Sequence, residues 1–161
     1  MDNYTKTISV TKSPEEAFRA IQNFRGWWSE EIEGNTDKVN ETFFYHYRDI
    51  HQCKIRLIEA VPFSRLAYRV EENDFNFVKD KSEWVNTRLV FDIAPEARGT
   101  KITFTHEGLV PAYECYKVCN DGWNEYIGHS LKNFIETGKG NPNPKDAEGF
   151  NKELAEKWGL N

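Results

Sequence analysis

The chain has 161 residues, a formal net charge of −5, 29% charged and 39% hydrophobic residues, which suits one globular domain with a core of its own. The acidic balance and the lack of any Lys/Arg run exclude nucleic acid and an anionic membrane surface as main partners, and no 18-residue apolar run offers a membrane span. The start, MDNYTKTISV, is polar and unlike a leader peptide, and three cysteines without metal-ligand spacing predict free thiols in a reducing cytoplasm.

Tyr4–Val10 alternates, with Tyr4, Lys6, Ile8 and Val10 on one side, and reads as a first strand. Ser13-Pro14-Glu15-Glu16 follows. Ser13 can cap a helix, Pro14 suits its first position and Glu16 completes a capping box, so a short helix with Ala17, Phe18 and Ile21 inward is expected. Gly26 breaks it, and Trp27-Trp28 open a second helical piece or turn; the polar Glu30–Asn40 reads as a loop. From Glu41 the period becomes two: Phe43, Tyr45 and Tyr47 share a face, and Cys53–Val61 forms the next strand, ended by Pro62. Ser64–Glu71 carries Leu66, Tyr68 and Val70 inward, and Asn73–Ser82 is expected to be mostly loop. Glu83–Ile93 predicts a strand with Leu89, Phe91 and Ile93 on one face and Trp84 on the other. Lys101–Glu107 aligns Ile102, Phe104 and His106.

Ala112–Gly138 predicts a long helix. Tyr116, Cys119, Trp123, Ile127, Leu131 and Phe134 form a stripe at the helical period, with Ser130 inside it, and Gly138 ends it. The tail KGNPNPKD reads as a linker, and 147–158 as a short amphipathic helix with Phe150, Leu154 and Trp158 four apart. Strands in a meander with helices outside it predict an α+β fold with an antiparallel sheet, not alternating βαβ units. The expected division is a domain over 1–138 and a tail over 139–161.

The order and spacing of Val10-Thr11-Lys12-Ser13-Pro14-Glu15-Glu16-Ala17-Phe18, Trp27-Trp28, Glu59-Ala60-Val61-Pro62, Thr103-Phe104-Thr105-His106-Glu107-Gly108-Leu109 and Gly122-Trp123 leading to Ser130-Leu131 carry a family resemblance. The chain resembles the START-like (SRPBCC, Bet v 1-like) helix-grip superfamily, most of all the single-domain group named after the activator of the heat-shock-protein-90 ATPase. That resemblance implies a curved antiparallel sheet of six or seven strands gripping the long helix, often around an elongated apolar cavity. It implies a hydrophobic or lipid-like ligand, with cyclases, aromatases, hydrolases and co-chaperones as minority roles. The tail departs from the plain pattern.

At 14% the aromatic content is high, and it supports either a bulky core or an aromatic-lined cavity. With the resemblance, the candidate ligand-binding residues are Trp28, Tyr45, Tyr68, Phe91, Phe104, His106, Trp123 and Ile127; interlocked in a filled core, the same residues would leave no space. His106 can orient a polar ligand group or transfer a proton, or it can be an ordinary hydrogen-bonded histidine. His46, His51 and His129 read as structural. Cys115 and Cys119 lie four apart on the helix, but no further ligand follows at metal-site spacing, so neither metal nor cofactor is expected. No GxSxG elbow occurs, Ser130 is mid-helix, and Gly138-Lys139-Gly140 lacks the context of a phosphate loop. His106 and Glu107 point to opposite faces of one strand and cannot form an acid–base pair. Arg56, Arg69 and Arg88 are expected to face solvent. Binding of a small hydrophobic ligand without chemistry is therefore the first expectation. A chaperone-regulator type of protein interaction through 147–158 is the second, and a cyclase- or hydrolase-like enzyme the third.

Overall fold

In the computed structural model the described residues are 2–80, 83–145 and 148–160; Ser82 at the end of the predicted loop, Ala147 at the start of the predicted tail helix, and the termini Met1 and Asn161 lie outside them. Seven strands form one antiparallel sheet in the order β1-β7-β6-β5-β4-β3-β2. They are β1 (Tyr4–Val10), β2 (Ile32–Gly34), β3 (Thr42–Tyr47), β4 (His51–Val61), β5 (Arg65–Phe75), β6 (Arg88–Glu96) and β7 (Gly99–Glu107). Two short helices, α1 (Pro14–Gln22) and α2 (Phe24–Trp27), follow β1. The long C-terminal helix is made of α3 (Tyr116–Glu125), a π-helical segment (Tyr126–Leu131) and α4 (Lys132–Thr137); α5 (Phe150–Trp158) closes the chain. This is the helix-grip arrangement.

The alternation translates into one buried face. Phe43, Tyr45 and Tyr47 of β3, Leu66, Tyr68 and Val70 of β5, Leu89, Phe91 and Ile93 of β6, and Ile102, Phe104 and His106 of β7 are all buried. Curvature comes from β4 and β5, whose register slips at Lys54/Ile55 and again at Leu57/Glu59; each such bulge adds twist and bends the ribbon over the helix. On the outer face Arg56 and Arg69 pair with Glu71, Arg65 with Glu59 and Asp92, and Arg88 with Glu107, in line with the outward placement expected of the strand arginines.

At α1 the capping box forms as its residues predict: Glu16 N–H donates to Ser13 Oγ at 3.2 Å and Ser13 N–H to Glu16 Oε2 at 3.0 Å. Gly26 stands inside α2 instead of breaking a helix before it. The ring of Phe134 lies where a Cβ would be, so only glycine lets the long helix approach this closely.

Besides shifts of two residues at the starts of β4 and β7, four boundaries differ from expectation. Ile32–Gly34, expected in a loop, adds a short edge strand beside β3. β5 runs on to Phe75 because Asn73 and Asp74, despite their polarity, pair with β4 as Phe75 does. The strand expected from Glu83 begins only at Arg88, since Asn86 takes a left-handed φ of 68° and Trp84–Thr87 closes as a turn. The long helix starts at Tyr116, not Ala112, where the Glu83 carboxylate accepts from the Glu114 and Cys115 N–H groups and covers its exposed donors. The π segment changes the predicted stripe as well. One extra residue per turn rotates the helix downstream, so Ile135 is buried while Phe134 is only half-buried; Tyr126, three residues after Trp123 and seven after Cys119, is buried on the regular face before the rotation.

Candidate functional site

One end of the space between sheet and helix holds a cavity of about 60 Å³. At ~10–15 Å³ per water it has room for about four to six waters or a fragment of similar size. Trp28, Tyr45, Trp84, Trp123 and Tyr126 supply most of its aromatic wall, Ile50, His51 and Phe75 the sheet side, and Asn151, Leu154, Ala155 and Leu160 of the tail its cover. The rings are ordered in two stacks: Trp28 lies on Tyr45 at 4.2 Å and Trp84 on Trp123 at 5.8 Å.

A buried polar chain holds one wall. Trp123 Nε1–H donates to His106 Nδ1 at 3.1 Å, which leaves the proton of the neutral ring on Nε2, facing Thr87 Oγ1 at 2.8 Å; the threonine hydroxyl donates to the Trp84 carbonyl at 2.5 Å. His106 thus fixes both tryptophans of one stack. Burial lowers its pKa to about 3, and it stays neutral at physiological pH. His51 is treated alike: its Nε2 meets Asn73 Oδ1 at 2.7 Å, and burial lowers its pKa to about 4.

A second polar network ties the tail across the cavity. Asn151 Nδ2 donates to the Tyr45 hydroxyl at 2.7 Å, the Tyr126 hydroxyl donates to Asn151 Oδ1, and Asn151 N–H donates to Asn143 Oδ1 at 2.7 Å. Asn143 in turn donates from Nδ2 to the Trp28 carbonyl at 3.0 Å and to the Tyr126 hydroxyl at 3.1 Å. Ser130, deep in the long helix, donates to the Trp27 carbonyl at 2.6 Å and accepts from Asn141 N–H at 2.7 Å. The tail is therefore seated by buried amides, each with partners, on the Trp27-Trp28 turn.

Two polar atoms of this region stand apart. The indole nitrogens Trp28 Nε1 and Trp84 Nε1 are buried without a hydrogen-bond partner among the described residues. The other three of the chain's five tryptophans donate to protein oxygens or nitrogens: Trp27 to the Ile21 carbonyl, Trp123 to His106 and Trp158 to Asp121.

Of the predicted site residues, Trp28, Tyr45 and Trp123 come together on the cavity wall. Tyr68, Phe91, Phe104 and Ile127 lie away from the lining with no exposed surface; Tyr68 and Phe91 pack with Phe24 in the filled end of the grip, Phe24–Tyr68 at 5.0 Å, and Phe104 lies between Phe91 at 4.9 Å and Trp123 at 4.8 Å. His106 stands behind the wall, positioning it. His51, read from sequence as a structural turn residue, lines the cavity instead; it shares the phase of Cys53, Ile55 and Leu57, which was the signal available. Trp84 was placed on the opposite face, and the Asn86 turn before β6 brings it inward. The tail residues carried no signal of their own, because what seats them is two asparagines in an otherwise polar stretch. In α5 the buried positions are Asn151 and Ala155, one residue along from the predicted Phe150, Leu154 and Trp158 row, of which Trp158 is 37% exposed.

The family described as "Activator of Hsp90 ATPase homolog 1-like protein" matches residues 13–136. The chain belongs to this family. No curated protein matches the chain. Among solved structures, the Aha1 dimer from Colwellia psychrerythraea is similar at a TM-score of 0.69 and 22% identity, over 87% of this chain and 100% of that one. A protein from Staphylococcus saprophyticus gives 0.64 and 16%, over 86% of this chain and 95% of that one. DynU16, from the dynemicin biosynthetic locus, gives 0.65 and 17%, over 87% of this chain and 49% of that one. At these identities the likeness is one of fold. Membership of the Hsp90-ATPase-activator-like family supports a ligand-binding or regulator-type domain, and no helix among the described residues is long and apolar enough to cross a membrane.

Proposed function

We propose that the chain is a non-catalytic binding module for a small hydrophobic molecule, held in the cavity between the sheet, the long helix and α5. The observation that carries this reading is the aromatic cavity itself, stacked on two sides and covered by the tail, beside a core of fully buried rings. Apolar area for affinity and a few placed polar groups for orientation are what small-molecule sites offer. Its lining includes the neutral imidazole of His51 and no carboxylate to pair with it, so the reading is of binding without chemistry. Within it, 1–138 is the grip, 139–161 is its cover, and the three buried free thiols suit a reducing cytoplasm. Thermal unfolding with a panel of one-ring aromatics, indole and a medium-chain fatty acid tests it. A true ligand at a hundred times its Kd stabilises by about 2.7 kcal/mol, which raises the midpoint by about 5–10 °C. A panel without any shift would remove the reading.

A second reading, a protein-interaction module of chaperone-regulator type, rests on Trp158, which is 37% exposed at the end of α5 beside Lys157. Pull-down with the full chain and with Trp158→Ala decides it: identical partners for both would take the tail surface out of consideration.

A further inference from the structure

Resting on the binding reading above, we infer that α5 is a lid: it is hinged at Gly149, latched by Asn151 and Asp121, and lifts to admit a neutral hydrophobic ligand. The closed cavity asks for such a movement. Its volume of about 60 Å³ holds a few waters, whereas an apolar cavity that takes up benzene measures about 150 Å³. A ring of any kind therefore enters only if a wall gives way. The walls from the sheet and the long helix are bonded along their main chains and packed on buried rings. The wall from the tail is of another kind.

Up to Asn143 the tail is fastened to the grip through its main chain. Asn141 N–H donates to Ser130 Oγ at 2.7 Å, Asn143 N–H to the Trp28 carbonyl at 2.9 Å, and the Asn143 carbonyl accepts from Glu30 N–H at 2.8 Å. In α5, by contrast, no main-chain group is bonded to the sheet or the long helix among the described residues. Two points hold it: the Asn151 amide between the Tyr45 and Tyr126 hydroxyls, and Asp121 Oδ2, which accepts from Lys157 Nζ at 2.7 Å and Trp158 Nε1 at 3.0 Å. Of its residues only Asn151 and Ala155 are fully buried. So few side-chain bonds can open without disturbing sheet or helix. Between the two parts stands Gly149, at φ 96° and ψ −159°; without a Cβ it reaches either sign of φ, so a rotation there swings α5 while Asn143 stays in place. Lifting takes Asn151, Leu154 and Ala155 out of the lining and leaves a trough floored by Trp28, Tyr45, Trp123 and Tyr126. No charged residue stands in that lining to pair with an ion, so what it takes is neutral.

Native-state hydrogen exchange on the full chain tests the hinge. Stopped-flow binding of N-phenyl-1-naphthylamine, a neutral hydrophobe far larger than the closed cavity that brightens in apolar surroundings, tests the gate. The amides at the C-terminal end of α5 should exchange together and about a hundredfold or more faster than those of β6 and β7, while the Asn143 amide keeps the pace of the grip. Asp121 lies outside the lining, so Asp121→Ala reaches the cavity only through α5. It should speed α5 exchange and N-phenyl-1-naphthylamine association alike, by about threefold, and Asn151→Ala by about tenfold. Amides in α5 as slow as those of the sheet, or an Asn143 amide that opens with them, overturn the hinge. Equal association rates in the three chains, or no binding to any of them, overturn the gate. A midpoint shift with the aromatic panel beside either result would leave the binding reading standing without a lid, so the two fail separately.

Discussion

At one end of the grip Phe24, Tyr68, Phe91 and Phe104 interlock with no exposed surface; at the other, Trp28, Tyr45, Trp84 and Trp123 surround open space. Residue type does not separate the two ends, since both are aromatic. What differs is the cover. Over the filled end α1 and α2 bring Ala17, Phe18, Ile21, Phe24 and Trp27 down on the sheet, apolar on apolar. The other end is closed by α5, which fully buries only Asn151 and Ala155, an amide and a single methyl, lays the half-buried Leu154 beside them, and is held by hydrogen bonds to Tyr45 and Tyr126. Small, directional groups hold a cover in place without filling the volume beneath it. The contrast predicts that the filled end carries stability and the polar-covered end carries binding.

The largest effect should follow a deletion at the filled end. Phe91 packs against Phe24, Trp27, Tyr68 and Phe104. Phe91→Ala should cost about 3–5 kcal/mol in denaturant unfolding and leave the affinity of the folded fraction for benzene unchanged. A loss below about 1 kcal/mol would mean that this end can collapse around the gap and that the contrast is overdrawn.

Next comes pH. Unfolded, His51 and His106 take up protons from about pH 6.5 downward, whereas in the fold burial holds their pKa at about 4 and about 3. The unfolded state then binds more protons, so stability is full above pH 6.5 and falls as the pH drops toward about 4, by up to about 1.4 kcal/mol per pH unit for each histidine. Glu71, lowered to about 2 through its hydrogen bond to Arg56, adds its own loss below pH 4.5, so the window to measure is pH 7 to 5. His106→Asn should flatten the slope there; an unchanged slope would put the titration elsewhere.

Asn151→Ala should cost about 1–3 kcal/mol, because it strands the Tyr45 hydroxyl at the cavity edge and leaves the Tyr126 hydroxyl with Asn143 alone. It should also make residues 139–161 the first site of proteolysis while the grip survives. Cleavage distributed over the whole chain would show that the tail is integral to the core and not a cover upon it.

This division explains what could be seen in the sequence. The sheet, the capping box at Ser13 and the long helix were legible because two- and 3.6-residue periods and cap chemistry are local. Ile32–Gly34 was not, since an edge strand of three residues exists only by pairing with Phe43–Tyr45. Ile135 escaped because a π turn breaks the period on which the stripe is counted; Tyr126, three residues after Trp123, shares the regular face and was readable there. At the site, Trp28, Tyr45 and Trp123 were readable as inward aromatics, but nothing local separates an aromatic against a cavity from one against another ring. Tyr68, Phe91, Phe104 and Ile127 were read as lining for that reason. The missing information was the docking of the tail, and that is carried by Asn143 and Asn151, whose side chains look like solvated loop residues until Tyr45, Tyr126 and the Trp28 carbonyl are placed around them.

The smallest change in stability should accompany the clearest change in binding. Leu154 lines the cavity from α5 and is only half-buried, so Leu154→Ala removes little area from the folded core and should cost about 1 kcal/mol or less. It widens the cavity on the cover side without touching the stacked rings, His51 or the two asparagines. If the polar-covered end is the binding end, the variant should accept larger aromatics, with indole gaining affinity relative to benzene. Phe91→Ala, which makes a comparable or larger hole at the filled end, should leave that ratio where it is in the parent chain. Calorimetric titration of both variants with both molecules reads the two ratios side by side. Equal shifts in the two would mean that the ends communicate and that the cavity is a local gap in one continuous core, while a shift confined to Leu154→Ala would fix α5 as the wall that sets ligand size.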